Sequence, residues 1–426
     1  MLTAHPQREA LHNEVHARPY ERMSAPLTLS HLALLTPDAV ESRAHLQRLL
    51  EARHLPLPAA NASHLSVDLG GVRLRWEQHT EFQTYTFWRV PAAPGPGHAE
   101  RALDHVSTEW LNALPGEWLV GLHMQVSDGR ALDDETSEAW ARSLLDESSL
   151  VGSAVSDDQG RVYTDFRLHA DGFARQLLSV RGMNPRRLGR TVQRLLEIET
   201  YRMMALLGLP VARQVAATLQ HAERDLAQVA EQIRSAARES EPELLRQLTQ
   251  LAGEVESLYA GTHARFSASS AYFELVQRRI EELHETRHAG LQTLGEFMER
   301  RLGPAMQTCA WAARRQQALS ERISRISNLL RTRVEIEQQQ SSQALLDAMN
   351  RRQRAQMLLQ SAVEGLSVAA VTYYGAGLVG YAAKGAKALG VGVSPDLASA
   401  LSVPVIAFAV WRAIRRLHQR VQSAAD

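Results

Sequence analysis

GLSVAAVTYYGAGLVGYAA (365–383) runs for 19 residues without a charged side chain, and LASALSVPVIAFAVW (397–411) does the same over 15. At ~1.5 Å per residue the first run is about as long as a bilayer's hydrocarbon layer is thick. The second spans only with help from local thinning or from its flanks. KGAKALGVGVSPD (384–396) joins them as a short loop. Two such runs side by side predict a two-helix transmembrane hairpin over 365–411. The competing reading is an Ala/Gly-rich hairpin buried in a soluble bundle.

Arginine placement orients this hairpin. Arg351, Arg352 and Arg354 precede the first run, and Arg412, Arg415, Arg416 and Arg420 follow the second. The loop holds only Lys384 and Lys387. This bias puts both ends, including a basic tail over 412–426, on the cytoplasmic side of the membrane. Thr372, Ala376 and Gly380 recur every four residues, a small-residue seam along which another helix can approach.

Upstream, no proline occurs between Pro304 and Pro395. One helix from 304 into the first run is therefore expected, with 304–364 as a stalk. To residue 383 it would be on the order of 120 Å long, too long for a compact domain. Ile323, Ile326, Leu330 and Val334 give it a rough heptad, the pattern of a coiled coil. Residues 183–303 read as a long helical bundle without strands. Leu195, Leu196, Ile198, Met203 and Leu206 mark an apolar stripe, and Gly208 and Pro210 interrupt it. Pro242 suits the first turn of a further helix running to about 303.

Residues 1–182 alternate between the two periods and read as an α+β domain. Leu65, Val67 and Leu69, then Val72, Leu74 and Trp76, alternate with polar residues around Gly70 and Gly71, the signal of a β-hairpin. Strands are also expected over 84–90, 118–126, 150–155 and 162–168, with helices over 39–52, 99–114 and 133–145.

Composition excludes several classes. The formal net charge is zero, which argues against a polybasic nucleic-acid binder. Cys309 is the only cysteine, so no intramolecular disulfide framework exists. The first nineteen residues lack the apolar core of a secretory signal. No Gly-rich phosphate loop, CxxC pair or nucleophile elbow is present, and no motif calls for a cofactor.

Two clusters could carry chemistry or bind a ligand. His12, Glu14, His16 and Arg18 form one. His12 and His16 are spaced to share a helix face, but Glu14 does not follow the first histidine as a zincin's base would, and Pro19 limits the helix. Glu77, His79 and Glu81 form the other, falling on one side of a strand if strand geometry holds. His284 and His288 share helical spacing on a charged face, and Cys309 beside Trp311 reads as packing.

HNEVHARP (12–19), WEQHTEF (76–82), LGRTVQRLLEIETYRMMALLGLP (188–210) and VEGLSVAAVTYYGAGLVGYAAKG (363–385) together resemble an uncharacterised bacterial family of the DUF3422 type, described as membrane-anchored. The resemblance spans the chain and implies no chemistry. The architecture is also similar to CorA-type magnesium channels, which carry Gly-Met-Asn at the outer end of the first span. Gly182, Met183 and Asn184 spell that tripeptide here, but about 180 residues too early, and the loop here is basic. The expectation is a membrane-anchored, cytoplasm-facing homo-oligomer that binds a protein or small ligand. A divalent-cation channel and a metal-dependent enzyme are the alternatives.

Overall fold

The expected alternation of apolar and polar positions becomes a single mixed sheet. The computed structural model describes residues 4–14, 20–36, 38–59, 62–92, 100–129, 134–235, 240–288, 290–390, 392 and 394–422. In chain order, α1 (Arg8–Glu14) precedes β1 (Leu27–Leu35) and α2 (Ala39–Ala52). Then come β2 (His64–Asp68), β3 (Arg73–Gln78) and β4 (Phe82–Arg89). A 3-10 turn (Ala102–His105) and α3 (Thr108–Asn112) lead to β5 (Glu117–Asp128) and α4 (Asp134–Leu144). Strands β6 (Val151–Val155), β7 (Gly160–Thr164) and β8 (Ala174–Val180) end the first stretch. Helices α5 (Pro185–Leu206), α6 (Gly208–Ser235) and α7 (Glu241–Glu282) follow, then the two-residue β9 (Thr286–Arg287). The last elements are α8 (Leu294–Arg301), α9 (Gly303–Ala388) and α10 (Pro395–Gln422). The chain divides into two compact units, 1–327 and 328–426.

Strand order is β2-β3-β4-β1-β5-β8-β7-β6-β9, with β5 and β8 parallel and the other neighbours antiparallel. The sheet is covered on both faces. On one, Leu32, Leu74, Trp76, Tyr85 and Phe87 pack with Leu46 and Leu50 of α2. On the other, Ala33, Phe82 and Val120 meet Met204 and Tyr201 of α5. Trp76, Tyr85 and Phe87 are fully buried, and each contributes at most about 4–6 kcal/mol by area.

The Gly70–Gly71 hairpin forms with Asp68 opposite Arg73, and both glycines adopt positive φ. Strand β8 was not legible beforehand. Leu177 and Leu178 are both buried because both faces are covered, so alternation fails there. The 99–114 segment holds a 3-10 turn and the short α3 rather than one helix; Val106 is extended between them and Ser107 caps α3.

Helix α7 stops at Glu282, not near 303. His284 takes positive φ, β9 pairs with β6, and Glu285 accepts the backbone N–H groups of Leu294 and Gly295 to start α8. His284 and His288 therefore share no helix face: the first pairs with Asp157 and the second with Glu138. The break at Leu207 between α5 and α6 lies where Gly208 and Pro210 predicted it. In the first unit α6, α7 and the start of α9 bundle together. Arg315 of α9 is ion-paired to Glu223 of α6, and Gln316 of α9 donates to Thr262 of α7 at 3.0 Å. Cys309 is buried there beside Gly208.

Within the second unit, the latter part of α9 and α10 are long and apolar enough to cross a membrane. Thr372, Ala376 and Ala383 are buried, and a Cβ placed at Gly380 would collide with Ser399 Oγ of α10. One placed at Gly375 would sit 3.2 Å from Ile406. Large apolar side chains such as Leu366, Tyr373, Leu378, Val405 and Phe408 are exposed.

Candidate functional site

The covered faces meet unevenly, and a cavity of about 250 Å³ remains between β1, β3, β4 and α5, with Arg279 of α7 at its margin. Strand register builds its floor in rows. His31 of β1 stands opposite Thr86 of β4, which stands opposite Arg75 of β3. One step along, Ala33, Thr84 and Glu77 line up in the same way. Side chains two apart share a face, so Arg75 and Glu77 look toward α5 while Leu74 and Trp76 look away. From α5, Gln193, Glu197, Thr200 and Tyr201 face the strands, four positions that recur at helical spacing.

A hydrogen-bonded ionic chain crosses this interface. Arg75 donates to Glu77 at 2.9 Å and to the side-chain oxygen of Gln193 at 3.2 Å. Gln193 donates to Glu197 at 2.7 Å, and Arg279 is ion-paired to the other Glu197 oxygen. Arg279 also reaches Glu282, which accepts from Arg194. The charges lining the cavity thus compensate one another, as buried charges must.

The ring of His31 is fully enclosed. Thr200 donates its hydroxyl proton to the Leu196 carbonyl at 2.9 Å, so toward His31 it accepts. Nε2 of His31 therefore carries the proton, 3.0 Å from Thr200, and Nδ1 accepts from Thr86 at 2.8 Å. Burial, then the charge of Arg75, push the imidazole down to about 3, which keeps it neutral. Tyr201 is pushed well above the usual phenol range by burial and the Glu197 charge. It stacks on Tyr272. Against this satisfied network Thr84 is an exception: the residue lines the cavity, but its hydroxyl oxygen is buried and has no partner.

Of the expected site residues, Glu77 and His79 line the cavity. Glu81 does not, because β3 ends at Gln78 and the chain turns before β4; it accepts from Arg265 of α7 at 3.0 Å instead. His79 stacks on Phe82 at 4.3 Å. His12 is exposed on α1, Glu14 ends that helix, and His16 and Arg18 lie outside the described residues. Among the described residues no group of three His, Cys, Asp or Glu side chains is placed to hold a metal ion. His31, Thr84, Thr86, Arg75 and the α5 residues were not singled out beforehand. Their signals were a histidine inside an apolar strand run and Glu197, Thr200 and Tyr201 at helical spacing.

Ser30, His123 and Asp171 superficially suggest a nucleophilic triad. Ser30 Oγ is 2.7 Å from His123 Nδ1, but Nε2 stands 3.8 Å from Asp171, beyond a hydrogen bond. Arg101 and Arg175 hold the aspartate, and Ser30 is fully buried beneath the 3-10 turn, so no substrate reaches it. Gly182, Met183 and Asn184 form the turn from β8 into α5. Asn184 is the N-cap, its side chain accepting from Arg187 N at 2.9 Å.

The molecule is a mixed α/β unit followed by long helices, two of them candidate membrane spans. It belongs to the family of proteins of unknown function DUF3422, whose model matches residues 3–421. No curated protein and no solved structure matches the chain.

Proposed function

We propose that this chain is an integral protein of the bacterial inner membrane that works by binding rather than by catalysis. Two spans in hairpin form hold its mixed α/β unit on the cytoplasmic side. The observation that carries this is the inverted surface of the second unit. Small residues, Thr372, Ala376, Gly380 and Ala383, lie between α9 and α10, while large apolar side chains point outward. In water such a surface is costly; in lipid tails it is the expected one. The arginines that flank the pair and the two lysines between them support cytoplasmic termini. Self-association fits the exposed Leu345, Leu346 and Met349 on the otherwise polar part of α9, where a coiled-coil partner would cover them.

Topology is the direct test. Single cysteines at Ser394 and Gln422, in a Cys309→Ser background, would be exposed in spheroplasts to a membrane-impermeant thiol reagent. Label on position 394 alone supports the assignment. Label on 422 alone inverts it, and extraction of the chain by alkaline carbonate removes the membrane reading altogether.

A further inference from the structure

From residue 341 to residue 363 every position of α9 is exposed. A helix in water draws most of its stability from a packed apolar face, and this stretch carries one that is bare. Leu345, Arg352, Leu359, Leu366 and Tyr373 recur every seven residues. Four positions after each come Met349, Gln356, Val363, Ala370 and Gly377. Together they alternate steps of four and three, the spacing of the d and a positions of a coiled coil. All are exposed, Leu359 at 69%, Leu366 at 72% and Tyr373 at 77%. Ala348, Ala355, Ala362 and Ala369 flank the stripe at the same interval, so no bulky side chain there keeps a second helix away.

The stripe is distinct from the contact with α10. Thr372, Ala376 and Gly380 face α10, whereas Tyr373 and Gly377 lie one step, about 100°, further round the helix.

Its course selects the occupant. It starts at Leu345 in the polar part of α9 and runs to Gly377, inside the charge-free run 365–383. Lipid tails could cover Leu366 and Tyr373 but not Leu345, Met349 and Leu359. A soluble partner could cover those three and never reach Tyr373, near the middle of the run. One occupant for the whole length is a helix that itself crosses the membrane boundary with the same period. Helix α9 of a second copy has that pattern. Shared insertion makes the two helices parallel and in register. The Tyr373 hydroxyls of the pair then lie at equal depth, whereas against lipid tails each would lack a bonding partner. Leucine at the d positions and Val363 at an a position favour two strands. Arg352 is the discordant layer: two guanidinium groups repel there, a cost in stability that marks register.

We propose that a second copy of this chain lies along this stripe, forming a parallel two-stranded coiled coil from 345 on the cytoplasmic side to 377 within the membrane. The inference rests on the membrane reading above and names the partner and the surface of its self-association. Every residue involved belongs to the second unit.

The test uses the full-length chain in native membranes, in the Cys309→Ser background, with single cysteines oxidised by copper phenanthroline. At the a positions of a parallel pair the Cα atoms come within disulfide reach, ~4.4–6.8 Å, and on the outer face they do not. Met349→Cys, Val363→Cys and Ala370→Cys should each give a covalent dimer. Asp347→Cys and Ser361→Cys, on the outer face, should give severalfold less. In detergent, energy transfer between labelled copies reads the strength of the pair. Leu359→Glu should weaken it about tenfold, and Arg352→Leu should strengthen it about tenfold. Equal yields at inner and outer positions would overturn the proposal, as would an adduct with a different protein. So would dimers at 349 and 363 without one at 370, or an Arg352→Leu pair that is weaker. No dimer at any inner position, in a chain that resists alkaline carbonate, defeats this inference and leaves the membrane reading standing. Extraction by carbonate removes both.

Discussion

Beneath α5 the protein buries charge, whereas along 365–411 it exposes apolar side chains. In the first unit Arg75 and Glu197 are brought in from water only because each finds a partner, and the large aromatics Trp76, Tyr85 and Phe87 are hidden behind α2. In the second, Tyr373 and Phe408 stand outside while Thr372 and Ala376 take the inside. Water explains the first arrangement: apolar area leaves it and polar groups must be repaid with bonds. Close backbone approach between small residues explains the second, as it does for helices that gain nothing hydrophobic by meeting in lipid.

The largest expected effect tests that contrast directly. Trp76→Ala should cost the first unit about 3–5 kcal/mol in denaturant unfolding, from lost burial and the cavity left behind. Phe408→Ala, at a side chain 57% exposed, should leave the same transition within about 0.5 kcal/mol. Equal losses from the two would mean that α10 has a protein partner where lipid is proposed.

Gly380→Leu should come next. A side chain there meets Ser399, so packing of α9 on α10 should weaken by about 1–3 kcal/mol, read as unfolding in detergent. Leu378→Ala, on the exposed side, should change it far less. Indistinguishable results would reduce the seam to an accident of composition.

Acid sharpens the picture of the buried polar face. His31 is neutral in the fold, its pKa pushed from 6.5 to about 3, while in the unfolded chain it takes up a proton near 6.5. Between those values the unfolded state binds more protons, so stability falls as pH falls through the window and is flat above it. At pH 5 the loss from this ring is about 2 kcal/mol relative to pH 7.5. His31→Gln should flatten the slope of thermal midpoint against pH, though His123, also depressed to about 3, keeps part of it. An unchanged slope would mean that the ring is not enclosed.

The smallest effect concerns the Gly-Met-Asn tripeptide. Asn184→Ala should lower first-unit stability by about 1 kcal/mol through loss of the α5 N-cap, measured by denaturant midpoint. No change would detach the tripeptide from the structural role the turn gives it.

Local order along the chain was largely legible. The Gly70–Gly71 hairpin, the break at Gly208, the start of α7 beside Pro242 and the uninterrupted α9 follow from turn chemistry and helix period, which depend on neighbours within a few residues. The strand cluster divides: Glu77 and His79 line the cavity, but the turn before β4 sends Glu81 to α7. A strand rule extrapolated past Gln78 has no means of knowing where the sheet partner ends.

By itself the sequence determined the two charge-free runs, their arginine flanks, their small-residue spacing and the change of period near residue 183. Each is a property of consecutive residues under a solvent that rewards or penalises their surface. Only the tertiary structure decided the cavity. His31 and Arg279 stand 248 residues apart in the chain, and what brings them to one space is the register of β1 against β4 and β3 together with the packing of α5 and α7. Whether His31 is charged, whether Thr84 has a partner and whether Arg75 is compensated depend on those long-range placements. Burial and hydrogen bonding are set by what arrives from elsewhere in the fold.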